Sequence, residues 1–508
     1  MRQSSAGVAI ASSTKTAAEA GAVVARAGGN AVDAAIAAAW VGAVTEPGIC
    51  APGCGGFVTV WEPGGSPVTI DGYIEMPGRG ASGDRRGHGT REVFIEYGGG
   101  VTMHVGHGSV GTPGGPAALA TASERYGQIP WGVTLEPAIE LSRSGFELTP
   151  PARHYLEYSG EPVFGWHPDS RAALHDGDGT LKAAGDTVRV EHLAESLERI
   201  ASLGAGEFYT GEIGRAICED MAAHGGLVTP EDMAGYRPIV RPALVESVGD
   251  WQVATNPPPA VGGVVLGAML GLMRGRPGDP WSEGDVAHLV DVQAQVLGYR
   301  RERVDMREDI AEAIEQMRAA YGSPSTVHTS AVDSDGRGCA ITLSAGYGSG
   351  VMVPGTGLWM NNCLGEIELN RRGLHNWPTG ARLVSNMAPT VARSSDGAVL
   401  SIGSPGADRI TTAILQAFTN HANAGMDLQA AIDHPRLHLE STPDGPRVAS
   451  EPGLPRPATE LSWRELDGPS MYFGGVGAVR WSRSTGFEAA ADPRRTGGTA
   501  VAAHPTSS

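Results

Sequence analysis

The residues best able to bind a metal or activate a nucleophile are few and poorly spaced for either task. Cys50 and Cys54 form C-x3-C, but no paired Cys/His set follows at the spacing that a zinc site requires. His104 and His107 give H-x2-H with no third ligand nearby in the sequence, so no metal is expected. Ser109, in His107-Gly108-Ser109-Val110-Gly111, lacks the first glycine of a nucleophile elbow. Gly475-Val476-Gly477 is too little for a dinucleotide loop, and no Gly-rich phosphate loop with its lysine is present; no cofactor is expected. Thr326 opens a run, Val327 to Asp333, that alternates like a strand. Taken alone, a β-branched residue there is what strand packing favours.

The surrounding elements are legible from caps and periodicity. Lys15 to Ala27 reads as a helix stopped by Gly28-Gly29. Asn30 then caps a second helix, Ala31 to Val41, with Asp33 in its first turn. That helix is apolar nearly all round and must be buried. A glycine-rich loop through Gly53 to Gly56 feeds a strand, Phe57 to Trp61. Residues 65–112 are turn-rich and give no clear assignment. Helices are expected at Pro116–Tyr126, Leu135–Ser144, Gly211–Ala223, Asp309–Tyr321 and Thr411–Asn423, and another after the corner Pro257-Pro258-Pro259. Strands are expected at Cys339–Ser344, Gly357–Met360, Thr390–Arg393, Val399–Ile402 and Met471–Ser482. No linker separates the helix-rich first part from the strand-rich second, which points to one interleaved unit.

Composition is that of an ordinary globular protein, with 41% hydrophobic and 19% charged residues. The net charge of −18, without a basic stripe, excludes a nucleic-acid partner. Ala31 to Val44, the most apolar run, contains Asp33 and is too short to cross a bilayer, so no membrane partner is expected. Five cysteines, an odd number, and an N-terminus without the apolar core of a signal peptide set the expectation of a cytoplasmic protein without disulfides.

Many short motifs occur in a telling order. Ala27-Gly28-Gly29-Asn30-Ala31-Val32-Asp33 comes first, then Glu46-Pro47, Arg125-Tyr126-Gly127, Glu136-Pro137-Ala138-Ile139 and Phe208-Tyr209-Thr210-Gly211. Gly225-Gly226-Leu227-Val228-Thr229, Pro354-Gly355-Thr356-Gly357, Met387-Ala388-Pro389-Thr390, Gly403-Ser404-Pro405-Gly406 and Asp492-Pro493-Arg494-Arg495 follow. In this set and order the chain resembles the γ-glutamyltranspeptidase family of N-terminal nucleophile (Ntn) hydrolases, over nearly its whole length. The resemblance implies an α+β fold, specifically a four-layer αββα sandwich built from a precursor that cuts itself between Ser325 and Thr326. The products would be interleaved fragments 1–325 and 326–508, each the other's partner; a higher oligomer is compatible with this. Thr326, of the Thr-x-His motif Thr326-Val327-His328, becomes the expected nucleophile with its own α-amine as base. Ser344 matches a hydroxyl that supports the nucleophile. Gly406 and Ala407 match a Gly-Gly pair whose N–H groups form the oxyanion hole. His328 is expected to be structural.

The same resemblance marks a changed specificity pocket. Where the family holds the γ-glutamyl carboxylate with an arginine in D-G-R-E, this chain reads Asp71-Gly72-Tyr73-Ile74-Glu75. Tyrosine cannot replace a bidentate guanidinium; Arg79 is the nearest candidate to compensate. The family's serine pair becomes Ser385-Asn386, its amine-binding aspartate becomes Glu366, and a nearby glutamine becomes Cys363. The expectation is an amidase or acyltransferase acting on a small metabolite other than glutathione. A C–C bond hydrolase of the kind found in actinobacterial 4-alkylproline antibiotic pathways is the alternative, and a catalytically inactive binding protein is the second.

Overall fold

Alternation along one strand sets the layers. In β1 (Gly7–Ser12), Val8 and Ile10 face one core while Ala9 and Ala11 face another, the two-residue period of a strand buried on both faces. The computed structural model describes residues 7–81, 86–96, 100–275, 279–303, 327–366, 370, 372–442 and 444–503. The main strands after β1 are β2 (Gly55–Trp61), β3 (Val68–Gly72), β4 (Ile239–Pro242), β5 (Leu244–Val248), β6 (Trp251–Thr255) and β7 (Val327–Asp333). β8 (Gly338–Ser344), β9 (Thr390–Ser394), β10 (Val399–Gly403), β11 (Gly477–Ser482), β12 (Gly486–Ala491) and β13 (Gly498–Ala503) complete them. One sheet runs β13-β1-β7-β8-β2-β3-β4, the other β12-β11-β10-β9-β6-β5, and every pairing is antiparallel. Each sheet takes strands from both sides of residue 325.

The sheets face each other across a thin core that includes Ala9, Ala11, Ala254, Ala340, Val391 and Val479; these small side chains permit close approach. Helices α1 (Lys15–Arg26) and α2 (Ala31–Thr45) cover the outer face of the first sheet. α2 is buried along its whole length, as its all-round apolar sequence requires. Its start is fixed by a capping box: Asn30 Oδ1 accepts from the N–H groups of Val32 and Asp33, and Asp33 Oδ2 accepts from Asn30 N, worth about 1 kcal/mol. α4 (Val261–Leu272), α5 (Glu283–Arg303) and α6 (Ile410–Ala422), which follow α3 (Glu212–Ala223) in the chain, cover the second sheet. The result is the expected four layers, helix–sheet–sheet–helix. Among the described residues no helix is long and apolar enough to cross a membrane.

Several local expectations need correction. The strand expected over Met471–Ser482 begins only at Gly477. Met471–Phe473 is a 3-10 turn, and Gly474 (φ 90°) breaks the extended run. Gly357–Met360 contributes only the short strand Leu358–Trp359, paired with Met352–Val353. Within the unassigned 65–112 stretch lie β3 and a hairpin, Arg91–Ile95 with Val101–Val105. The expected helix Asp309–Tyr321 lies outside the described residues. α5 was not anticipated at all.

Candidate active site

The N-terminal end of β7 and the C-terminal ends of β8 and β10 meet at one edge of the sandwich. Thr326 and Ser325 lie outside the described residues, but Val327, bonded to Thr326, opens β7 and pairs with Leu343. Ser344 therefore closes β8 at that edge. It is buried, and its Oγ accepts from Gly346 N at 2.9 Å. On the facing sheet, Gly403 ends β10 so close to the His328 ring that a Cβ there would overlap it; only glycine permits this approach.

His328 is locked between the sheets. Ser330 Oγ donates to Gly477 O (3.1 Å), so it must accept from His328 Nε2–H (2.7 Å); Nδ1 then accepts the Thr342 hydroxyl (2.9 Å). Burial pushes the imidazole down to about 3, so it is neutral, a structural strut as expected. An unfolded chain takes up this proton near 6.5. Stability is therefore fully present above that pH, and falls as pH drops through it towards about 3. At pH 5 the loss is about 2 kcal/mol. A His328→Gln variant should show a correspondingly shallower fall in denaturation midpoint between pH 7 and 5; a parallel fall would refute the assignment.

Gly406 (φ 131°) and Ala407 (φ 57°) both adopt left-handed backbone. For Ala407 that costs about 1–2 kcal/mol, retained where the turn must aim its amides. A Cβ at Gly406 would lie 2.6 Å from Gly474 Cα, so glycine is required there by space as well. Among the described residues neither amide N–H has an acceptor, which leaves two donors at the start of the turn leading into α6.

The changed pocket residues converge. Tyr73 is buried and stacks on Phe57, ring centres 5.7 Å apart. Burial pushes its phenol well above the ordinary value, and Cys363 and Glu366 beside it add to the shift; Ser385 lies within hydrogen-bonding reach. The Cys363 thiol is likewise pushed up by burial and by Glu366, so both groups stay protonated and serve as donors. Glu366 is buried, and its carboxylate lies 2.9 Å from where a Cβ on Gly346 would stand. Gly346 thus joins the pocket to Ser344. Ser385 is fixed from below: its carbonyl accepts from Val261 N (2.8 Å) and Gly262 N (3.1 Å), the free donors at the start of α4.

Asn386 is fully buried, and its Oδ1 accepts from Arg300 of α5 at 3.3 Å, while its Nδ2 has no partner among the described residues. Arg300, 7% exposed, is a buried partner of Asn386 that sequence reasoning missed. Arg79 is not the compensating cation. Its guanidinium pairs with Glu75 (2.9 Å) and Asp232 (3.4 Å). Arg382, also unforeseen, pairs with Glu75 (2.9 Å) and donates to the Tyr73 carbonyl (3.1 Å), fixing the 71–75 segment from its backbone.

The remaining sequence candidates resolve differently. All five cysteines are buried and unpaired. Cys54 does structural work through its carbonyl, which accepts from Gly114 and Gly115. The H-x2-H reading was incomplete: His104 stands apart, whereas His107 Nε2 meets Asp220 at 3.1 Å, a partner 113 residues away.

The family model described as gamma-glutamyltranspeptidase matches residues 17–320 and 292–502. The glutathione hydrolase proenzyme of Escherichia coli (strain K12) is 30% identical over 489 residues, covering 86% of this chain and 82% of that protein. The acylase ACY 1 proenzyme of Pseudomonas sp. (strain SE83) is 28% identical over 463 residues, covering 83% and 80%. The crystal structure of a cephalosporin acylase from Bacillus halodurans superposes with a TM-score of 0.79 at 24% identity, covering 98% of this chain and 96% of that one; this likeness is one of fold.

Proposed function

Because the chain belongs to the γ-glutamyltranspeptidase family and is an enzyme of the Ntn-hydrolase type, we propose that it processes itself before Thr326 and works on a small amide other than glutathione. In the precursor the Thr326 hydroxyl attacks the Ser325 carbonyl, and water hydrolyses the resulting ester. The freed α-amine then takes the hydroxyl proton as Thr326 attacks a substrate carbonyl. The Gly406 and Ala407 N–H groups receive the developing oxyanion, Ser344 supports the nucleophile, and the acyl group passes to water or an amine. Five unpaired thiols support a reducing compartment such as the cytoplasm.

The observation that carries the substrate reading is Tyr73, buried against Phe57 where the family resemblance places an arginine. An α-carboxylate bound there would face a phenol, a thiol and the Glu366 carboxylate instead of a guanidinium. The Asn386 amide, whose Nδ2 has no partner among the described residues, offers a neutral donor at a different point, so the preferred acyl group carries a carbonyl there in place of an α-carboxylate.

A panel of p-nitroanilides, γ-glutamyl, glutaryl and butyryl, run beside glutathione, tests this. Glutathione should be turned over at least about 100-fold less efficiently than the best amide, the scale of one lost charge-assisted contact. Equal or better efficiency on glutathione would overturn the substrate reading.

A further inference from the structure

A cluster between the Val101–Val105 hairpin and α3 is not used in this chemistry. His107 follows the hairpin strand Val101–Val105, and Asp220 and His224 stand one turn apart at the C-terminal end of α3. His107 Nε2 lies 3.1 Å from Asp220 Oδ2, and His224 Nδ1 lies 3.0 Å from Asp220 Oδ1. One ligand atom from each of the three lies within 4.8 Å of the others. The two imidazoles stack at 4.5 Å between ring centres.

His167 adds an independent sign. Its ring centre is 6.3 Å from that of His107, it is 92% buried (8% exposed), and its Nδ1 has no hydrogen-bond partner among the described residues. A buried ring nitrogen without a partner carries an uncompensated desolvation cost, which a nearby cation or its bound water would recover.

The geometry points to a divalent transition-metal site formed by His107, Asp220 and His224, with His167 or a water as fourth ligand. Imidazole nitrogens with one carboxylate suit Zn2+ or Co2+, which bind such atoms at about 2.0–2.2 Å; they do not suit Ca2+ or Mg2+, which take oxygen ligands. His224, 56% exposed at its side chain, gives the ion a path from solvent. The metal ties the hairpin to α3, two segments more than a hundred residues apart.

Its position gives it a consequence for the pocket. Leu364 N donates to Ser109 O (3.1 Å) and His104 N to Gly365 O (3.0 Å). The segment that carries His107 thus holds the loop from Cys363 to Glu366, and the site braces the wall of the substrate pocket.

The test uses the full-length protein stripped with a chelator and titrated with ZnCl2 by calorimetry, with CoCl2 as a spectroscopic probe. One equivalent should bind, raise the melting temperature and give Co2+ the intense visible bands of a four-coordinate site. His224→Ala, at an exposed position, should weaken binding by more than about 100-fold, since losing even an outer-shell partner costs 10- to 100-fold. No stoichiometric binding, or equal affinity in His224→Ala, would overturn the assignment; the latter would move the metal elsewhere, with the C-x3-C thiols the first place to look.

Discussion

Thr326→Ala should leave the chain uncut and abolish turnover, with a fall in kcat/KM of about 10,000-fold or more, the scale on which removing a nucleophile from a working set is felt. On the proposed mechanism one hydroxyl serves twice. Without it nothing attacks the Ser325 carbonyl, the α-amine stays locked in a peptide bond, and neither nucleophile nor base forms. Thr326→Ser separates the two uses from mere packing. It keeps the hydroxyl, so it should still cut, more slowly, and retain measurable activity. Turnover in Thr326→Ala above a few per cent of wild type would mean that a different group carries the chemistry.

The second large effect is expected far from the nucleophile in sequence. Asp492 accepts from Arg436 at 2.6 Å and from Arg494 at 3.2 Å, and Arg494 Nε reaches Glu451 at 2.6 Å. These side chains are only 1–2% exposed. Burial alone would raise the Asp492 carboxyl, but the two guanidinium groups outweigh it and hold it below its ordinary value. Removing one partner from such a set strands the others, at about 3–5 kcal/mol. Asp492→Asn should therefore lower the unfolding free energy by that amount. Glu19→Gln, which breaks an exposed pair with Lys15 at 3.6 Å, should cost less than about 0.5 kcal/mol. The network also steadies the Gly406–Ala407 turn. Asp492 Oδ2 accepts from Val476 N, Arg436 donates to Phe473 O, and Gly474 between them packs on Gly406. Activity should fall with stability in Asp492→Asn. An unfolding free energy within about 1 kcal/mol of wild type would contradict the claim that this cluster holds its segments together.

What the sequence made legible was local or periodic. Asn30 and Asp33 announce the capped start of α2; alternation marks β7 over the very residues that form it, and β8 to within one. Ser344, Tyr73, Glu366, Ser385 and Asn386 were named through family motifs, and the structure brings Tyr73, Glu366 and Ser385 together, with Asn386 adjoining and Ser344 joined through Gly346. What stayed hidden depends on contacts between distant segments. α5 carries Val286, Leu289, Val290 and Val296 on its buried face, but Gln293 and Arg300 share that face, and these polar residues blur the apolar stripe. They were also the signal: a glutamine and an arginine at buried helical positions need partners, here Leu439 N for Gln293 and Asn386 for Arg300. The neighbours of His107 in sequence offer no third ligand, because its partners sit on α3, more than a hundred residues away. Nearness along the chain points to Arg79, but Glu75 and Asp232 already hold its guanidinium.

The central claim is that a self-cut chain exposes Thr326 as its nucleophile. Intact mass of the purified wild-type protein under denaturing conditions, with N-terminal sequencing of the smaller component, addresses it most directly. Two chains are expected, 1–325 and 326–508, the second beginning Thr-Val-His-Thr-Ser. A single uncut chain after prolonged incubation, or a cut at any other bond, would contradict it.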